Sequence, residues 1–378
     1  MKPLPLTTAQ RIAVIRTDHI GDLILSTPFL KALRQAAPQA QLEVVLPQYT
    51  APVLENLDFV DSILSYSDRP SREFTEALRQ RQYDIAVALA PRTQAYKLAY
   101  ATKAPCRVGY FYASRPLTAI MCTALYLTHY MSVNLGKKLA LGQPLPHEVQ
   151  QLGELAKAMG LIYEDDSLSL KLSLEEEALS HEMSKNWRHP VILLQLHHNW
   201  LTLGWTVNNL VRLVSGLLMT SRGGELVVCY YGQREGEIAQ ELRETLASGH
   251  PKPEAAHNRI HFRGDLNFRQ WACLMQGVNF VVTPDTGAVH LAAALKKPVV
   301  AVYEPQTATL NTQQWAPWQV AHRSIVKDAP APTLEKIFTA LDTLMTDSLA
   351  WECSALQSSG EMEALEPPEE EGTGIGGK

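Results

Sequence analysis

The sequence of 378 residues is sparing with cysteine: it contains five, and none belongs to a C-x-x-C pair. This scarcity argues against a disulfide framework or a Cys-based zinc site and favours a reducing compartment. The opening MKPLPLTTAQRIAVIRT lacks the long apolar run of a signal peptide, so we expect a cytoplasmic protein. The glycine fingerprint G-x-G-x-x-G is also missing, which disfavours a Rossmann-type oxidoreductase.

Charge is distributed unevenly along the chain, whose net charge is -5. From Trp351 onward there are seven Glu and a single Lys among many Gly and Pro, which predicts an acidic, disordered tail over residues 349–378. The remaining body is about neutral, which argues against a nucleic-acid partner.

Acidic residues are absent between Asp84 and Glu148, whereas basic ones are frequent there. The segment is either a solvated face or a surface for an anionic partner, such as a phosphorylated or lipid-linked acceptor. Its basic residues are Arg92, Lys97, Lys103, Arg107, Arg115, Lys137 and Lys138.

Short β-branched runs alternate with segments of helical periodicity, which predicts an α/β fold with mainly parallel sheets. Strands are expected at residues 11–17, 41–47, 83–90, 191–196, 224–232, 259–264, 279–284 and 298–303. A charged helical stretch at residues 171–190 separates the halves. We therefore predict one domain over residues 1–175 and a second over residues 176–348.

Residues 116–136 contain no Asp, Glu, Lys or Arg. The stretch is nearly long enough to span a membrane, but Thr, Ser, His and Asn interrupt it. It predicts a buried or interfacial helix, with a segment resting on a membrane surface as the alternative.

The stretch TPDTGAVHLAAAL places a turn and a helix start directly after a buried strand. Asp285 or Thr286 is a candidate N-cap, Gly287 permits close approach of a ligand, and the free amides of a helix start attract an anion. His290, one turn inside, can add a donor to the same phosphate. The simpler interpretation is a capped helix with His290 packed in the core.

A second strand-to-helix junction, RTDHIGDLILSTP, carries Asp18, His19 and Asp22. Asp22 is either a dipole-favoured residue of the first helical turn or a general base that deprotonates an acceptor hydroxyl.

These two motifs, in this order and far apart in the chain, resemble the ADP-heptose:lipopolysaccharide heptosyltransferases, glycosyltransferase family 9. The similarity runs from about Arg11 to about Trp318. It implies a GT-B fold, with two Rossmann-like domains facing across a cleft. It also implies an inverting transfer that needs no essential metal and no cofactor. By resemblance, Asp22 matches the catalytic Asp.

The resemblance also implies donor contacts from Asp285, Thr286, Gly287 and His290, and a ribose contact from Glu235 or Glu237. On the acceptor side we assign Asp18, His19, Arg92 and Lys97. The donor is a nucleotide sugar, ADP-heptose by resemblance. We expect the acceptor to be an anionic glycan or lipid-linked molecule, with the protein associated with the inner face of the cytoplasmic membrane.

Two departures from the family pattern concern the donor side. The family has a Pro-Gly loop followed by a Lys two positions before a Trp, whereas this chain reads HHNWLTLGW, with Leu203 at the Lys position. His198 and Asn199, with His197, are the candidates for supplying hydrogen bonds to the diphosphate in place of this Lys and the Pro-Gly loop. Glu304 also follows Tyr303, where the family commonly has Gly. A catalytically weakened member that binds a nucleotide or glycan without transfer is therefore the alternative function.

Overall fold

The chain folds into two parallel six-stranded sheets, as far as residues 1–248 and 258–359 of the computed structural model describe it. The first sheet contains β1 (Arg11–Ile15), β2 (Gln41–Pro47), β3 (Ser62–Tyr66), β4 (Ile85–Ala88), β5 (Cys106–Tyr112) and β6 (His129–Val133). The second contains β7 (Val191–Gln195), β8 (Glu225–Cys229), β9 (Ile260–Arg263), β10 (Phe280–Pro284), β11 (Val299–Tyr303) and β12 (His322–Val326).

Both sheets have the strand order of a Rossmann-like domain. The first runs β3-β2-β1-β4-β5-β6, and the second runs β9-β8-β7-β10-β11-β12. Their central strands, such as IAVA and VILLQ, are buried along their whole length because helices cover both faces. The order reverses between β1 and β4 and again between β7 and β10, so each domain has a topological switch point there, where open α/β sheets commonly bind ligands.

Helices fill the connections between the strands. The first half contains α1 (Ile20–Leu25), α2 (Thr27–Ala36), α3 (Arg72–Gln80), α4 (Thr93–Ala101), α5 (Pro116–Met121), α6 (Leu135–Ala140) and α7 (Glu148–Ala158). The second half contains α8 (Leu174–Ser184), α9 (Val207–Thr220), α10 (Gln233–Ser248), α11 (Phe268–Gln276), α12 (Gly287–Ala294), α13 (Pro305–Gln314) and α14 (Pro330–Ser359).

The structure confirms the predicted strands and reveals four that the sequence patterns did not indicate: β3, β5, β6 and β12. Three of these four lie at an edge of a sheet. Their burial is partial, so they lack the continuous apolar run of a central strand. The connection after β2 forms a 3₁₀ segment, Gln48–Leu54, with Pro52 inside it.

The prediction of a single helix over residues 116–136 is wrong. The stretch forms the short helix α5, a π turn at Cys122–Tyr126 and then strand β6, which pairs in parallel with β5. Pairing with the open edge of β5 satisfies backbone groups that a continued helix would have satisfied internally. Exposed and less exposed side chains alternate along β6, as expected for a strand.

The two domains contact each other at several places. Helices α1 and α12 pack together, and Gly21 lies so close to His290 that a methyl group on Gly21 would be 2.4 Å from His290 Cδ2. On another side, His147 stacks on Trp318 with 4.4 Å between ring centroids, and His147 Nε2 lies 3.0 Å from the Ala316 carbonyl oxygen.

The carboxyl-terminal helix α14 packs on α9 and on β12. It runs through Ser359, past residue 349 where the sequence predicts the tail to begin. Residues 360–378 of that predicted tail lie outside the described residues. Among the helices of the described ranges, none combines the length and the apolar character needed to cross a bilayer.

Candidate active site

The carboxyl ends of the central strands of both sheets border one cleft of about 720 Å³ between the domains. Ile20, Tyr49 and Pro52 line it from the first domain. From the second domain its lining includes His198, Tyr230, Glu235, Trp271, Thr286 and Gly287. A larger groove of about 1010 Å³, beside His189 and Lys296, lies at the opposite strand ends and contains none of the predicted site residues. The interdomain cleft is therefore the candidate site.

A buried arginine organises the first-domain side of this site. Arg16, directly after β1, is 2% exposed, and its Nη2 lies 3.3 Å from Asp22 Oδ1 and 3.2 Å from Glu148 Oε1. The same nitrogen is 3.6 Å from Asp18 Oδ2. Burial alone would lower the pKa of Arg16, but the three carboxylates outweigh it and raise that pKa. The guanidinium thus fixes the positions of three acidic side chains around one permanent charge.

Asp22 is the most accessible of these three carboxylates, with its side chain 21% exposed. It occupies the first turn of α1, and its Oδ2 accepts a hydrogen bond of 3.2 Å from the His19 backbone N–H. Arg16 and this amide restrict the side chain to one orientation. Both interpretations of Asp22 made from the sequence are therefore compatible: it helps to cap α1 and it presents a carboxylate at the interdomain contact.

The second-domain side of the cleft begins with the turn after β10. Thr286 is the N-cap of α12, and its hydroxyl accepts a hydrogen bond of 3.3 Å from the Ala288 N–H. This confirms the N-cap prediction for Thr286. Gly287 begins the helix, and a methyl group there would lie no closer than 3.8 Å to the first domain, at the Gly21 backbone nitrogen. The amino end of α12 therefore opens on the cleft close to α1.

His290 lies behind this helix start, in the contact between the domains. Its ring is buried against Gly21, and its Nδ1 has no hydrogen-bond partner within the described residues. Burial lowers the pKa of His290 to about 4, although the nearby Asp22 carboxylate opposes the shift. His290 is thus a neutral imidazole near Asp22 at neutral pH.

Asp285 is engaged by the following helix. Its Oδ2 accepts a hydrogen bond of 2.5 Å from the Asn311 side-chain amide on α13. Burial raises the pKa of the Asp285 carboxyl, and this hydrogen bond opposes the rise. One of its two carboxylate oxygens has this partner, so the other is available to a ligand.

Glu304 has a protein partner that the sequence did not reveal. Lys327, after β12, places its buried Nζ 3.3 Å from Glu304 Oε1 and donates hydrogen bonds to the carbonyl oxygens of Asn199 at 2.7 Å and Trp200 at 2.9 Å. Thr202 donates to Glu304 at 2.6 Å. Burial lowers the pKa of Lys327, opposed by Glu304. Glu304 and Lys327 therefore anchor the loop after β7.

Glu235, at the start of α10, meets the same loop from the other side. Its Oε1 lies 2.7 Å from His198 Nδ1 and also accepts from the His198 N–H at 3.3 Å. Burial alone would raise the pKa of Glu235, but the hydrogen bonds from His198 lower it. His197 Nε2 is 3.9 Å from the same oxygen. These side chains form the wall of the cleft where the family pattern has a Pro-Gly loop.

The sequence profile of glycosyltransferase family 9 (heptosyltransferase) matches residues 71–340. The chain belongs to this family. Its relatives include lipopolysaccharide heptosyltransferase 2 of Salmonella typhimurium, which is 24% identical over 79% of this chain and 83% of its own length. Lipopolysaccharide heptosyltransferase 2 of Escherichia coli is 23% identical over 79% of this chain and 83% of its own length.

Solved structures show the fold that this family 9 chain shares. A family 9 glycosyltransferase from Veillonella parvula superposes with a TM-score of 0.69 at 18% identity, covering 91% of this chain and 99% of that one. ADP-heptose lipopolysaccharide heptosyltransferase II of E. coli gives a TM-score of 0.67 at 19% identity over 90% and 99% of the two chains. The predicted GT-B fold is confirmed.

The residues that we assigned to the acceptor side of this family 9 chain are only partly brought together. Asp18 and His19 lie near Asp22, but Asp18 is buried and forms ion pairs with Arg16 and Arg92. Lys97 is an exposed residue of α4, and no contact joins it to the others. Asp18 therefore pairs with the two arginines, and the acceptor role of Arg92, whose side chain is 58% exposed, stays a prediction.

Several residues of this site were not found from the sequence. Glu148 accepts hydrogen bonds from both Arg16 and the Tyr110 hydroxyl, at 3.2 and 3.1 Å, although it lies 132 positions from Arg16. Tyr49 donates from its hydroxyl to the Asp18 carbonyl at 3.1 Å and lines the cleft. The end of the acid-free segment at Glu148 was the available signal for one of them. Nothing in the local pattern indicated Tyr49.

The structure also brings together three side chains that could hold a metal ion, a group that the sequence did not indicate. His197, His198 and Glu235 each offer a ligand atom, and these atoms lie within 4.8 Å of one another. Glu235 is distant in sequence from the two histidines, so the spacing of His and Cys residues along the chain did not predict the group.

Proposed function

We propose that this family 9 chain transfers a heptose from ADP-heptose to a lipopolysaccharide-type or other glycan acceptor, with inversion at the transferred carbon. The observation that carries the proposal is the position of Asp22 across the domain contact from the amino end of α12. Further support comes from solved E. coli heptosyltransferases, one with ADP and one with ADP-2-deoxy-2-fluoro heptose, although their likeness to this chain is one of fold.

The proposed reaction is a single displacement. The acceptor hydroxyl oxygen attacks the anomeric carbon of the donor sugar while Asp22 removes the hydroxyl proton. The bond from the anomeric carbon to the diphosphate oxygen breaks, and ADP leaves with the bonding electrons. Attack from the face opposite the leaving group inverts the configuration. A carboxylate held by Arg16 and the His19 amide is restricted to one orientation, as a general base requires.

The second domain stabilises the leaving diphosphate in this proposal. The amino end of α12 presents the positive end of the helix dipole to the cleft. Gly287 has no side chain to keep a phosphate away. The neutral His290 imidazole lies one turn further along α12, buried against Gly21 in the contact between the domains. The displacement itself is therefore proposed to proceed without an essential metal ion.

The nucleoside part of the donor fits the far end of the cleft. Trp271, Phe268 and Tyr230 supply aromatic surface for a base. Glu235 is the proposed ribose contact, because Oε1 is used by His198 and Oε2 is available to accept from a ribose hydroxyl. His198 lines the same cleft, and Asn199 follows it in the turn after β7.

The acceptor is proposed to reach Asp22 from a membrane surface on the cytoplasmic side. Apolar side chains protrude from α5 and the π turn after it: Leu117 is 77%, Ile120 62% and Leu125 47% exposed. Arg115 begins this segment, and basic residues without any acidic neighbour flank it in sequence. An apolar surface beside basic residues fits the interface of an anionic bilayer.

The test combines nucleotide binding and turnover. Calorimetric titration with ADP, UDP and GDP should show preferential binding of ADP. Asp22→Asn keeps that binding and lowers the rate of sugar transfer from ADP-heptose by roughly 100- to 10,000-fold, the contribution typical of a general base. Asp58→Asn, at an exposed surface position, is the control and keeps the full rate. Full transfer activity in Asp22→Asn would contradict the proposed base.

The alternative, a binding protein without transfer activity, rested on two departures. Glu304 no longer supports it, because Lys327 forms an ion pair with that carboxylate and Thr202 donates a hydrogen bond to it. Leu203 still does: its side chain is 42% exposed and has no charge to offer a diphosphate. Tight ADP binding with no turnover in the wild type would favour the alternative.

A further inference from the structure

The loop that lacks the family lysine carries two histidines that face a carboxylate. His197 and His198 lie in the turn that follows β7, and Glu235 reaches them from α10. The three side chains lie in the wall of the interdomain cleft, partly open to it: 29% exposed for His197, 35% for His198 and 11% for Glu235. Two imidazoles and one carboxylate are a ligand set that first-row transition metals commonly take.

The distances are close to those of a metal site. Ligand bonds of about 2.0–2.1 Å in tetrahedral geometry place ligand atoms about 3.3 Å apart. Here Glu235 Oε1 is 2.7 Å from His198 Nδ1 and 3.9 Å from His197 Nε2, so these two distances differ from the tetrahedral spacing by about 0.6 Å in opposite senses. All three ligand atoms lie within 4.8 Å of one another. Metal binding through His197 Nε2 would place the ring proton on Nδ1. The hydrogen bond of 3.2 Å that Nδ1 accepts from the Asn199 N–H would then be lost.

We propose that His197, His198 and Glu235 bind one divalent transition-metal ion of the zinc class, and that this ion strengthens the binding of a nucleoside diphosphate in the cleft. Three protein ligands leave a fourth position of a tetrahedral ion open toward the cleft. A diphosphate oxygen can occupy it. The ion would then supply, next to the diphosphate, a positive charge that Leu203 cannot offer.

The effect on the nucleotide rests on the proposed function, because it needs the donor to bind in this cleft. Binding of the ion itself does not. The two parts can therefore be tested separately, with the metal alone and then with the metal and ADP.

The first experiment titrates the untagged, chelator-treated full chain with Co²⁺ and with Zn²⁺. The Co²⁺ titration should give the visible absorption bands of a four-coordinate site with one ion per chain, and Zn²⁺ should displace them. Removing a residue that only hydrogen-bonds to a metal ligand lowers metal affinity by about 10- to 100-fold. His197→Ala removes a ligand itself, so it should lower the affinity by more than roughly 100-fold. His181→Ala, on exposed α8, is the matched control and keeps wild-type affinity. Equal affinity in wild type and His197→Ala would overturn the site.

The second experiment measures ADP affinity with and without Zn²⁺, in wild type and in His197→Ala. Zn²⁺ should lower the ADP dissociation constant by at least about tenfold in the wild type and not in the variant. Zinc complexes of ADP in solution are the same for both proteins, so the variant corrects for them. An equal zinc effect in both would overturn the role in diphosphate binding. A chain that binds Zn²⁺ through these residues but never ADP would contradict the proposed donor, while the metal site would stand.

Discussion

Gly21→Ala tests whether the contact between α1 and α12 sets the position of Asp22 relative to the donor. The added methyl carbon would lie 2.4 Å from His290 Cδ2. An unstrained contact between carbon atoms is about 3.5 Å or more, so the two helices must separate by about 1 Å. The His290 ring is buried and cannot turn away into solvent. The displacement therefore falls on the domain contact itself.

The substitution has opposing effects on stability and a larger effect on catalysis. Alanine is favoured over glycine inside a helix by up to about 1 kcal/mol, whereas overpacking costs about 1–3 kcal/mol. We expect a net loss of up to about 2 kcal/mol in the free energy of unfolding. Displacement of reacting groups by about 1 Å lowers a rate by about 100-fold.

The assay compares initial rates of sugar transfer from ADP-heptose with thermal unfolding of the same proteins. Gly136→Ala is the matched control, because its methyl group would have Asn134 Oδ1 as its nearest neighbour, at 3.8 Å. The control should keep both the rate and the melting temperature. Wild-type transfer by Gly21→Ala would refute the reasoning that this helix contact positions the base.

Three further substitutions test the buried charges and the exposed patch. Arg16→Met leaves three carboxylates without their shared countercharge, so it should lower the free energy of unfolding in urea by about 3–5 kcal/mol. The control Arg222→Met breaks a surface pair and should lower that free energy by at most about 1 kcal/mol. Equal losses in the two variants would contradict the role of Arg16. Because the pKa of His290 is lowered to about 4 in the folded chain, the unfolded chain binds more protons than the folded one between pH 6.5 and pH 4. The free energy of unfolding should therefore fall with decreasing pH in that window, by about 1.4 kcal/mol per pH unit for this group. His290→Gln should show a smaller slope, and an unchanged slope would exclude a neutral buried imidazole. Leu117→Ser should lower the fraction of protein that sediments with anionic lipid vesicles. The control Ile162→Ser, at a similarly exposed site elsewhere, should not lower it. No difference between the two variants would refute membrane contact through α5.

Part of the chain behaved differently from its local pattern. Residues 116–136 have the composition of a helix that is buried or lies at an interface, yet their last third pairs as β6 with the edge of β5. Which edge is open depends on strands that are distant in sequence, so the local composition could not reveal it. The apolar residues that remain exposed on α5 are consistent with the interfacial part of the prediction.

The sequence by itself determined the α/β class, the central strands and the two strand-to-helix junctions at Asp22 and Thr286, because periodicity and capping are local properties. The tertiary structure alone decided the partners of these residues. Arg16 meets Glu148, Glu304 meets Lys327, and Glu235 meets His198 because parallel pairing brings the carboxyl ends of separate strands to one edge. Such pairings join residues from about twenty to more than one hundred positions apart, and no local pattern records them.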